Sequence, residues 1–191
     1  MKTRESGMPD EEMWQSFFDP EFILTELGFG QDCRSVVDFG CGYGTFAVAA
    51  ARKITGTVYA FDIESEMISI CNRKVEQVGL RNLICQQRDF VSAGTGLPDD
   101  SVEYVMLFNI LHAENPSGLL GEAYRILAPL GRIGVIHWNY DSTTPRGPSM
   151  TIRPRPEQCQ EWIRAAGFDL TRPLINLPPY HYGMVGQKAV R

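Results

Sequence analysis

The residues best placed to do chemistry are three glycines at alternate positions, Gly40, Gly42 and Gly44, with Asp38 two residues before the first. They follow an apolar segment and precede an Ala-rich one, so the pattern predicts a strand, a tight loop and a helix. Such loops typically bind nucleotide cofactors at the helix N-terminus. The spacing differs from the G-x-G-x-x-G of pyrophosphate sites, and no P-loop lysine follows. The acidic side chain therefore favours a ligand that carries positive charge.

S-adenosylmethionine (SAM) carries a sulfonium and an ammonium group and no phosphate. Residues 38–44, D-x-G-x-G-x-G, resemble motif I of the class I SAM-dependent methyltransferases in sequence and in context. The resemblance implies that SAM is the cofactor, that S-adenosylhomocysteine is the product, and that one set of loop residues contacts the cofactor: Asp38, Phe39, Gly40, Cys41, Gly42 and Gly44. The competing interpretation is a glycine-rich turn that binds no ligand.

Two further acidic residues are candidates for cofactor contacts. Asp62 ends the second predicted strand, where doubly wound folds place a carboxylate that accepts hydrogen bonds from the ribose hydroxyls. The resemblance implies that Ile63 then lies against the adenine. It also implies an adenine clamp at Asp89 and Phe90 after the third strand. Asp62 could instead cap a helix, and Asp89 could instead lie in a surface turn.

The fourth predicted strand, residues 101–108, is nearly continuous in apolar residues and leads to Asn109, Ile110 and His112 at the carboxyl edge of the sheet. This stretch resembles the family's motif IV, which implies that Asn109 and Ile110 contact the cofactor. Asn109 stands where many members carry an acid, so its backbone carbonyl is the group expected to hold the methionyl amine. His112 is the candidate general base, because histidine exchanges protons near neutral pH. Glu114 is the second candidate, and His112 could instead form a hydrogen bond that orients the loop.

The elements that position these residues predict an α/β fold. The resemblance implies a seven-stranded, mostly parallel, doubly wound sheet of the Rossmann-like methyltransferase type, with an antiparallel C-terminal strand. We expect residues 1–191 to form a single domain with a flexible tail at 1–10, a helical segment at 11–28 and a methyltransferase core at 33–190. The helical segment is expected to break near Asp19 and Pro20. It packs either over the cofactor mouth or on the sheet edge.

Three stretches on the acceptor side are less determined. Residues 129–131 resemble the family's turn before the fifth strand, which is expected at residues 132–138, but Leu130 stands where glycine is usual. Arg146, Arg153 and Arg155 lie among prolines, and they either form a cationic lip for an acidic substrate or pair with nearby acids, which is the favoured interpretation. Residues 168–176 and 181–189 predict a final hairpin whose last strand lies beside the fifth.

Composition limits the classes of function. The 191 residues carry 18 Lys and Arg against 23 Asp and Glu, a net charge of −5, which argues against general nucleic-acid binding. No stretch is apolar enough to span a membrane, and the charged start has no signal-peptide pattern. The five cysteines are widely spaced without a CxxC pair, which favours reduced thiols, no metal site and a cytoplasmic protein.

The resemblance implies methyl transfer from SAM to a nucleophilic atom of a small-molecule acceptor, and it is nearest to the ubiquinone and menaquinone biosynthesis methyltransferases. A metal-dependent catechol-type enzyme is disfavoured by Asn109, although Asn139 and Asp141 keep it open. The sequence also leaves open a non-catalytic SAM-binding regulator and an RNA or protein methyltransferase, although no Asn-Pro-Pro-Tyr-type motif follows the fourth strand. The G-x-G-x-G spacing disfavours a nicotinamide dehydrogenase. A homodimer is compatible with the sequence.

Overall fold

The computed structural model describes residues 8–190. Helices and strands alternate along most of this part of the chain. The helices are α1 (Glu11–Gln15), α2 (Pro20–Glu26), α3 (Thr45–Lys53), α4 (Ser65–Val78), α5 (Phe90–Ala93), α6 (Pro116–Ile126) and α7 (Pro156–Ala165). The strands are β1 (Ser35–Phe39), β2 (Thr57–Asp62), β3 (Leu83–Gln87), β4 (Val102–Phe108), β5 (Leu127–Trp138), β6 (Phe168–Leu177) and β7 (His181–Lys188).

The strands form one seven-stranded sheet in the order β3-β2-β1-β4-β5-β7-β6. Strands β1 to β5 pair in parallel, and β7 runs antiparallel between β5 and β6. The predicted fold class is therefore confirmed, including the insertion of the last strand beside the fifth. The strand order reverses between β1 and β4, and this is the point where open α/β sheets form a crevice for ligands. The glycine loop lies at that crevice.

The central strands are buried on both faces, which explains their continuous apolar sequence. Helices α2 and α3 belong to the apolar layer on one face, and α6 and α7 to the layer on the other. The Tyr104 hydroxyl, fully buried under α2, donates to the carbonyl of Leu27 at 3.0 Å. The N-terminal helical segment is thereby joined to the central strand β4.

The N-terminal segment breaks where the sequence predicted. Asp19 caps α2 by accepting from the backbone N–H of Phe22 at 3.0 Å, and Pro20 occupies the first turn. The flexible tail was predicted at residues 1–10, and residues 1–7 of it lie outside the described residues. Residues 9 and 10 form specific contacts with the rest of the chain. Pro9 is buried, its carbonyl accepts the Tyr43 hydroxyl at 2.8 Å, and Asp10 caps α1.

Strand β5 begins earlier than predicted, at Leu127 rather than at residue 132, and it contains Leu130 with φ +64°. The side chain of Leu130 is 57% exposed. A left-handed backbone strains any residue with a Cβ, which gives a physical reason for glycine at this position of the turn. The leucine is tolerated because its side chain points into solvent and meets no obstacle.

We predict that Leu130→Gly raises the free energy of unfolding by about 0.5–1 kcal/mol, because relief of left-handed strain exceeds the entropy that glycine adds to the unfolded chain. Leu174→Gly is the matched control, since Leu174 is 59% exposed and lies in β6 without a positive φ. It should lower the free energy of unfolding by about 0.5–1 kcal/mol. Urea unfolding measures both, and a loss of stability in both variants would contradict the strain at Leu130.

Candidate active site

The glycine loop has a backbone and a packing that only glycine satisfies. Gly40, Gly42 and Gly44 have φ of +73°, +50° and +75°. A Cβ on Gly40 would meet Ile110 Cδ1 at 2.9 Å, and a Cβ on Gly42 would meet Met8 Sδ at 2.9 Å. The loop is therefore a cradle in which both the conformation and the space exclude larger residues.

The end of β2 fixes the shape of this loop. The Phe61 carbonyl accepts the N–H groups of Gly40 and Cys41 at 2.8 and 2.9 Å. The Asp62 carboxylate accepts the N–H of Gly42 at 2.8 Å and that of Glu64 at 3.0 Å. Each oxygen of Asp62 keeps a second lone pair, so a ribose hydroxyl can still donate to it. Asp62 thus stabilises the conformation of the loop, a role that the sequence did not indicate.

Asp38 and Asp62 give the site its charge character. Asp38 is 3% exposed, and no hydrogen bond to its carboxyl group is formed within residues 8–190. Burial raises its pKa well above the ordinary value of 3.8, and negative charge on Cys71 and Asp62 adds to the shift. Burial also raises the pKa of Asp62, against the opposing effect of its backbone hydrogen bonds. Two desolvated acids at one loop favour a cation, which fits the ammonium and sulfonium of SAM.

Two buried polar side chains beside the loop have no hydrogen-bond partner within the described part of the chain. They are the amide of Asn109 and the hydroxyl of Thr45. Leaving such groups unpaired costs about 1–3 kcal/mol each, so a bound ligand is the natural partner. Asn109 has φ +56°, and its backbone N–H is held by the Ile136 carbonyl at 2.8 Å. Sequence reasoning assigned only the carbonyl of Asn109 and missed Thr45, although Thr45 follows the third glycine.

The residues predicted to clamp the adenine have structural contacts of their own. Asp89 caps α5 by accepting from Ser92 N at 3.1 Å. The Phe90 ring packs edge-on against Phe39 with 5.1 Å between centroids, and both rings are buried. Ile63 is half-buried, and its carbonyl accepts from Gln87 Nε2 at 3.0 Å. Phe39 and Phe90 could therefore meet a ligand mainly through their backbones.

Cys41 belongs to a group of three thiols beneath the loop. Cys71 Sγ lies 2.8 Å from Cys85 Sγ, and hydrogen bonds from Cys41 and Cys85 hold the pKa of Cys71 below its usual value. All are free thiols. Cys71 Sγ would lie 2.7 Å from a Cβ on Gly44, so the group fills the space under the third glycine. Cys41 is 7% exposed, in agreement with the small buried role expected of it.

The N-terminal segment covers the mouth of the site. The Phe17 ring packs edge-on against Trp138 at 5.2 Å between centroids, and Phe18 lies 4.5 Å from the His181 ring. Phe18 also contacts Phe46, which follows the glycine loop, at 5.2 Å. Of the two interpretations of this segment, packing over the mouth is the one that the contacts support.

His112 and His137 are brought together by the neighbouring ends of β4 and β5. His112 Nδ1 lies 3.2 Å from His137 Nε2, and the two rings are nearly perpendicular. His137 is fully buried, and burial holds its pKa well below 6.5. The sequence singled out His112 and missed His137, because a histidine within an apolar strand carries no signal of its own.

A pocket of about 290 Å³ opens beside His112. Glu114, Ile152 and Trp162 also line it. The two residues predicted as catalytic therefore face the same cavity, between the loop after β4 and helix α7.

Of the three arginines that could form a cationic lip, Arg153 is turned inward. Arg153 is 7% exposed, and its guanidinium donates to backbone carbonyls, including those of Asn139 at 2.9 Å and Pro148 at 3.0 Å. Arg155 stacks over Tyr140 at 3.7 Å from the ring centroid. The expectation that these arginines pair with acids is wrong for Arg153. Backbone carbonyls of the proline-rich loop accept its guanidinium N–H groups instead.

Asp141, kept open as a metal ligand, accepts from the backbone N–H and the hydroxyl of Thr143, both at 2.8 Å. Within the described residues, no group of three or more His, Cys, Asp or Glu side chains is arranged to hold a metal ion. Nor does that part of the chain contain a helix with the length and apolar character needed to cross a bilayer.

The arrangement has close structural relatives. A SAM-dependent methyltransferase from Aquifex aeolicus superposes with a TM-score of 0.82 over 93% of this chain and 93% of its own, at 24% identity. The fold is thus that of the class I SAM-dependent methyltransferases, as the sequence resemblance implied. The chain belongs to the methyltransferase domain family, whose model matches residues 36–131, half of the sequence.

Curated relatives share the same region. A sterol 24-C-methyltransferase of Neurospora crassa is 28% identical over 141 residues, 70% of this chain and 36% of the relative. A demethylmenaquinone methyltransferase of Lactobacillus johnsonii is 24% identical over 119 residues, 61% of this chain and 47% of the relative. The chain spans about a third to a half of the length of these relatives. The resemblance to the menaquinone group is thereby supported.

We predict that Gly44→Ala weakens SAM binding at least tenfold, because a Cβ at φ +75° would collide with Cys71 Sγ and shift the loop. Gly79→Ala is the matched control. Gly79 has φ +67°, but a Cβ there meets nothing within 4 Å, so the strain is similar and the site is untouched. Calorimetric titration with SAM measures both, and equal affinities in the two variants would contradict the cradle.

We predict that Asp38→Asn stabilises the ligand-free protein at pH 7 and abolishes SAM binding. The folded protein binds the proton of Asp38 more tightly than the unfolded chain, so the wild-type free energy of unfolding falls as the pH rises above about 3.8. The increase in the free energy of unfolding caused by Asp38→Asn should therefore vanish near pH 4. Urea unfolding at both pH values measures it, with exposed Asp169→Asn as the control. A variant that is less stable at pH 7 would contradict the unfavourable burial of the Asp38 carboxylate.

Proposed function

We propose that this protein transfers the methyl group of SAM to a nucleophilic atom of a small-molecule acceptor. The observation that carries the proposal is the glycine cradle with its two desolvated acids, Asp38 and Asp62, which suits a cationic nucleoside rather than a dinucleotide. That charge preference also argues against a nicotinamide dehydrogenase.

The residues of the cradle fit the parts of the cofactor. When bound, SAM supplies an electrophilic methyl group on its sulfonium sulfur. The free lone pairs of Asp62 suit the ribose hydroxyls, and Asp38 compensates positive charge. The unpaired amide of Asn109 and hydroxyl of Thr45 suit the methionyl end. Asp89, Phe90, Ile63 and Ile110 remain proposed contacts for the adenine side and the loop.

The pocket beside His112 is the proposed acceptor site. Trp162 and Ile152 supply apolar walls, and His112 and Glu114 supply polar groups. At about 290 Å³ it has room for a ring or a short apolar chain, with the rest of a larger acceptor outside. This combination suits an apolar molecule that presents a weakly acidic O–H, N–H or C–H group. The relatives named for a sterol and for demethylmenaquinone, both apolar small molecules, support the same class.

His112 is proposed to take the proton of the acceptor as its nucleophile forms, with Glu114 as the second candidate. A base is useful only when the nucleophile carries a proton, and the larger contribution comes from alignment of the reactants. The aromatic residues Phe17 and Phe18 over the mouth would exclude water from the reacting groups. A non-catalytic SAM-binding regulator would need the cradle but not the histidine beside a pocket.

The proposal includes a single methyltransferase domain with its core at residues 33–190, a cytoplasmic setting and no general nucleic-acid binding. The wide spacing of the five cysteines, without a CxxC pair, and the net charge of −5 support the last two points. A homodimer is compatible with this proposal.

We predict that His112→Asn lowers kcat by about 10²- to 10⁴-fold while leaving the Kd for SAM within twofold. The assay detects S-adenosylhomocysteine formed from SAM with a panel of apolar phenols, quinols and sterols. Arg164→Gln, an exposed change on α7, is the control for handling and folding. Tight SAM binding without product from any acceptor class would favour the non-catalytic regulator, and an unchanged kcat in His112→Asn would remove His112 as the base.

A further inference from the structure

We propose that Cys71 and Cys85 form a reversible disulfide when the protein meets a peroxide, and that this disulfide weakens SAM binding by removing support from the glycine loop. The modification site is the group of three thiols beneath the loop, Cys41, Cys71 and Cys85. The contact that carries the proposal is the 2.8 Å approach of Cys71 Sγ to Cys85 Sγ. The disulfide itself depends on neither the methyl acceptor nor the proposed base.

Two neighbouring elements bring the two sulfurs together. Cys71 lies in the middle of α4 and Cys85 in the middle of β3, and α4 packs against β3. The sulfurs are already in hydrogen-bond contact. A disulfide bond is about 2.05 Å long, so the two atoms need only a small further approach. Each thiol is held in place by a regular element, and the pair can therefore close without rearrangement of a loop.

The two members of the pair differ in their access to solvent. Cys85 is half-buried, whereas Cys71 is 0% exposed, so a small oxidant reaches Cys85 first. The reactive form of a cysteine is the thiolate. Transfer of one proton from Cys85 to Cys71 along their hydrogen bond produces the thiolate on the sulfur that solvent reaches.

The reaction balances with a peroxide as the oxidant. The Cys85 sulfur attacks the O–O bond and becomes a sulfenic acid, and the other half of the peroxide leaves as an alcohol, or as water from hydrogen peroxide. The Cys71 thiolate then attacks the Cys85 sulfur, the S–O bond breaks, and the hydroxide that leaves takes up the Cys71 proton to form water. The two sulfurs lose two electrons, which the peroxide gains. A dithiol reductant returns both electrons and both hydrogens.

Hydrogen bonds within the group favour the second step. Cys41 and Cys85 both donate to the Cys71 sulfur, and these bonds hold the pKa of Cys71 below its usual value. When Cys85 is oxidised, the bond from Cys41 still stabilises a thiolate on Cys71. The buried member is thus prepared to attack the oxidised one.

Cys71 also supports the glycine loop, and this joins the disulfide to the cofactor site. Its sulfur accepts from the Cys41 thiol, and it would lie 2.7 Å from a Cβ on Gly44. In the disulfide this sulfur moves toward β3, carries no charge and is a poor acceptor. Cys41 keeps its 3.9 Å contact with the Gly42 carbonyl but loses the support of Cys71. We expect SAM to bind about fivefold more weakly, the equivalent of one lost hydrogen bond.

The test uses hydrogen peroxide on the full chain, followed by alkylation of the remaining free thiols. Tryptic digestion without reductant should yield a cross-link between peptides 54–73 and 82–88, which contain Cys71 and Cys85. Calorimetric titration of the oxidised protein should show the weaker SAM binding, and dithiothreitol should restore the affinity of untreated protein. Restoration separates the disulfide from oxidised methionine, which needs its own reductase.

Two variants test the cause, each compared with itself before and after peroxide. Cys85→Ser removes the half-buried member, so peroxide should leave its SAM affinity unchanged. Cys159→Ser is the matched control. The Cys159 sulfur lies outside the group, 3.4 Å from the Tyr182 hydroxyl, so this variant should keep the wild-type response. If Cys85→Ser does not fold, the wild-type peptide map and the reversal by dithiothreitol still decide.

Three results would overturn the proposal. They are oxidised wild-type protein without the cross-link between Cys71 and Cys85, a cross-link from Cys41 to Cys71 in its place, and a cross-linked protein that binds SAM as tightly as the reduced one. Neither readout uses a methyl acceptor. Failure of methyl transfer to every acceptor class would therefore count against the proposed function, and the cross-link with its effect on SAM affinity would still support this inference.

Discussion

The hydrogen bonds from the glycine loop to the end of β2 are the interaction on which the site depends. Phe61 and Asp62 accept three successive backbone N–H groups of the loop, and the loop can reach them only because β1 and β2 pair in parallel from Ser35 with Thr57 to Phe39 with Phe61. A loop that is local in sequence thus takes its shape from a neighbouring strand. Asp62 has two functions as a result, since one carboxylate supports the loop and remains able to accept from a ligand.

The buried acids show how the fold accommodates a site that opposes its stability. A carboxyl buried within β1 would be excluded from an ordinary core, because burying an ion costs several kcal/mol and the group protonates instead. Asp38 is held there by strands paired on both sides, with Ala60 of β2 and Met106 of β4 opposite it in register. The same desolvation that disfavours the ion makes it a strong partner for a cation that enters the crevice.

Local patterns predicted most of the fold. The glycine spacing, the apolar run of β4 and the Asp19–Pro20 break each identify an element from a few adjacent residues. The resemblance supplied the type of sheet and the place of the last strand beside the fifth. The missed features join distant segments. His112 and His137 are 25 residues apart in sequence, Tyr43 and Pro9 are 34 apart, and Arg153 satisfies carbonyls up to 14 residues away. Such pairs leave no periodic signal, since each partner alone is typical of a strand, a tail or a loop. Leu130 is a different case, because its position could be found from the sequence alone. It stands where the family motif usually has glycine, and the left-handed backbone at this position explains that preference.

The proposed acceptor side is built from parts of the chain that the cofactor loop does not constrain. The aromatic layer over the mouth combines Phe17 and Phe18 from the N-terminal segment with Trp138 from β5, Tyr180 from the β6–β7 turn and His181 from the start of β7. The pocket beside His112 adds Trp162 of α7 and Ile152 of the loop held by Arg153. These segments can change without altering Gly40 to Gly44 or their acceptors on β2. Relatives that keep the cradle can therefore differ in acceptor. His112 lines that pocket and contacts His137, which is buried in β5, so the acceptor side is joined to the central sheet through these two histidines.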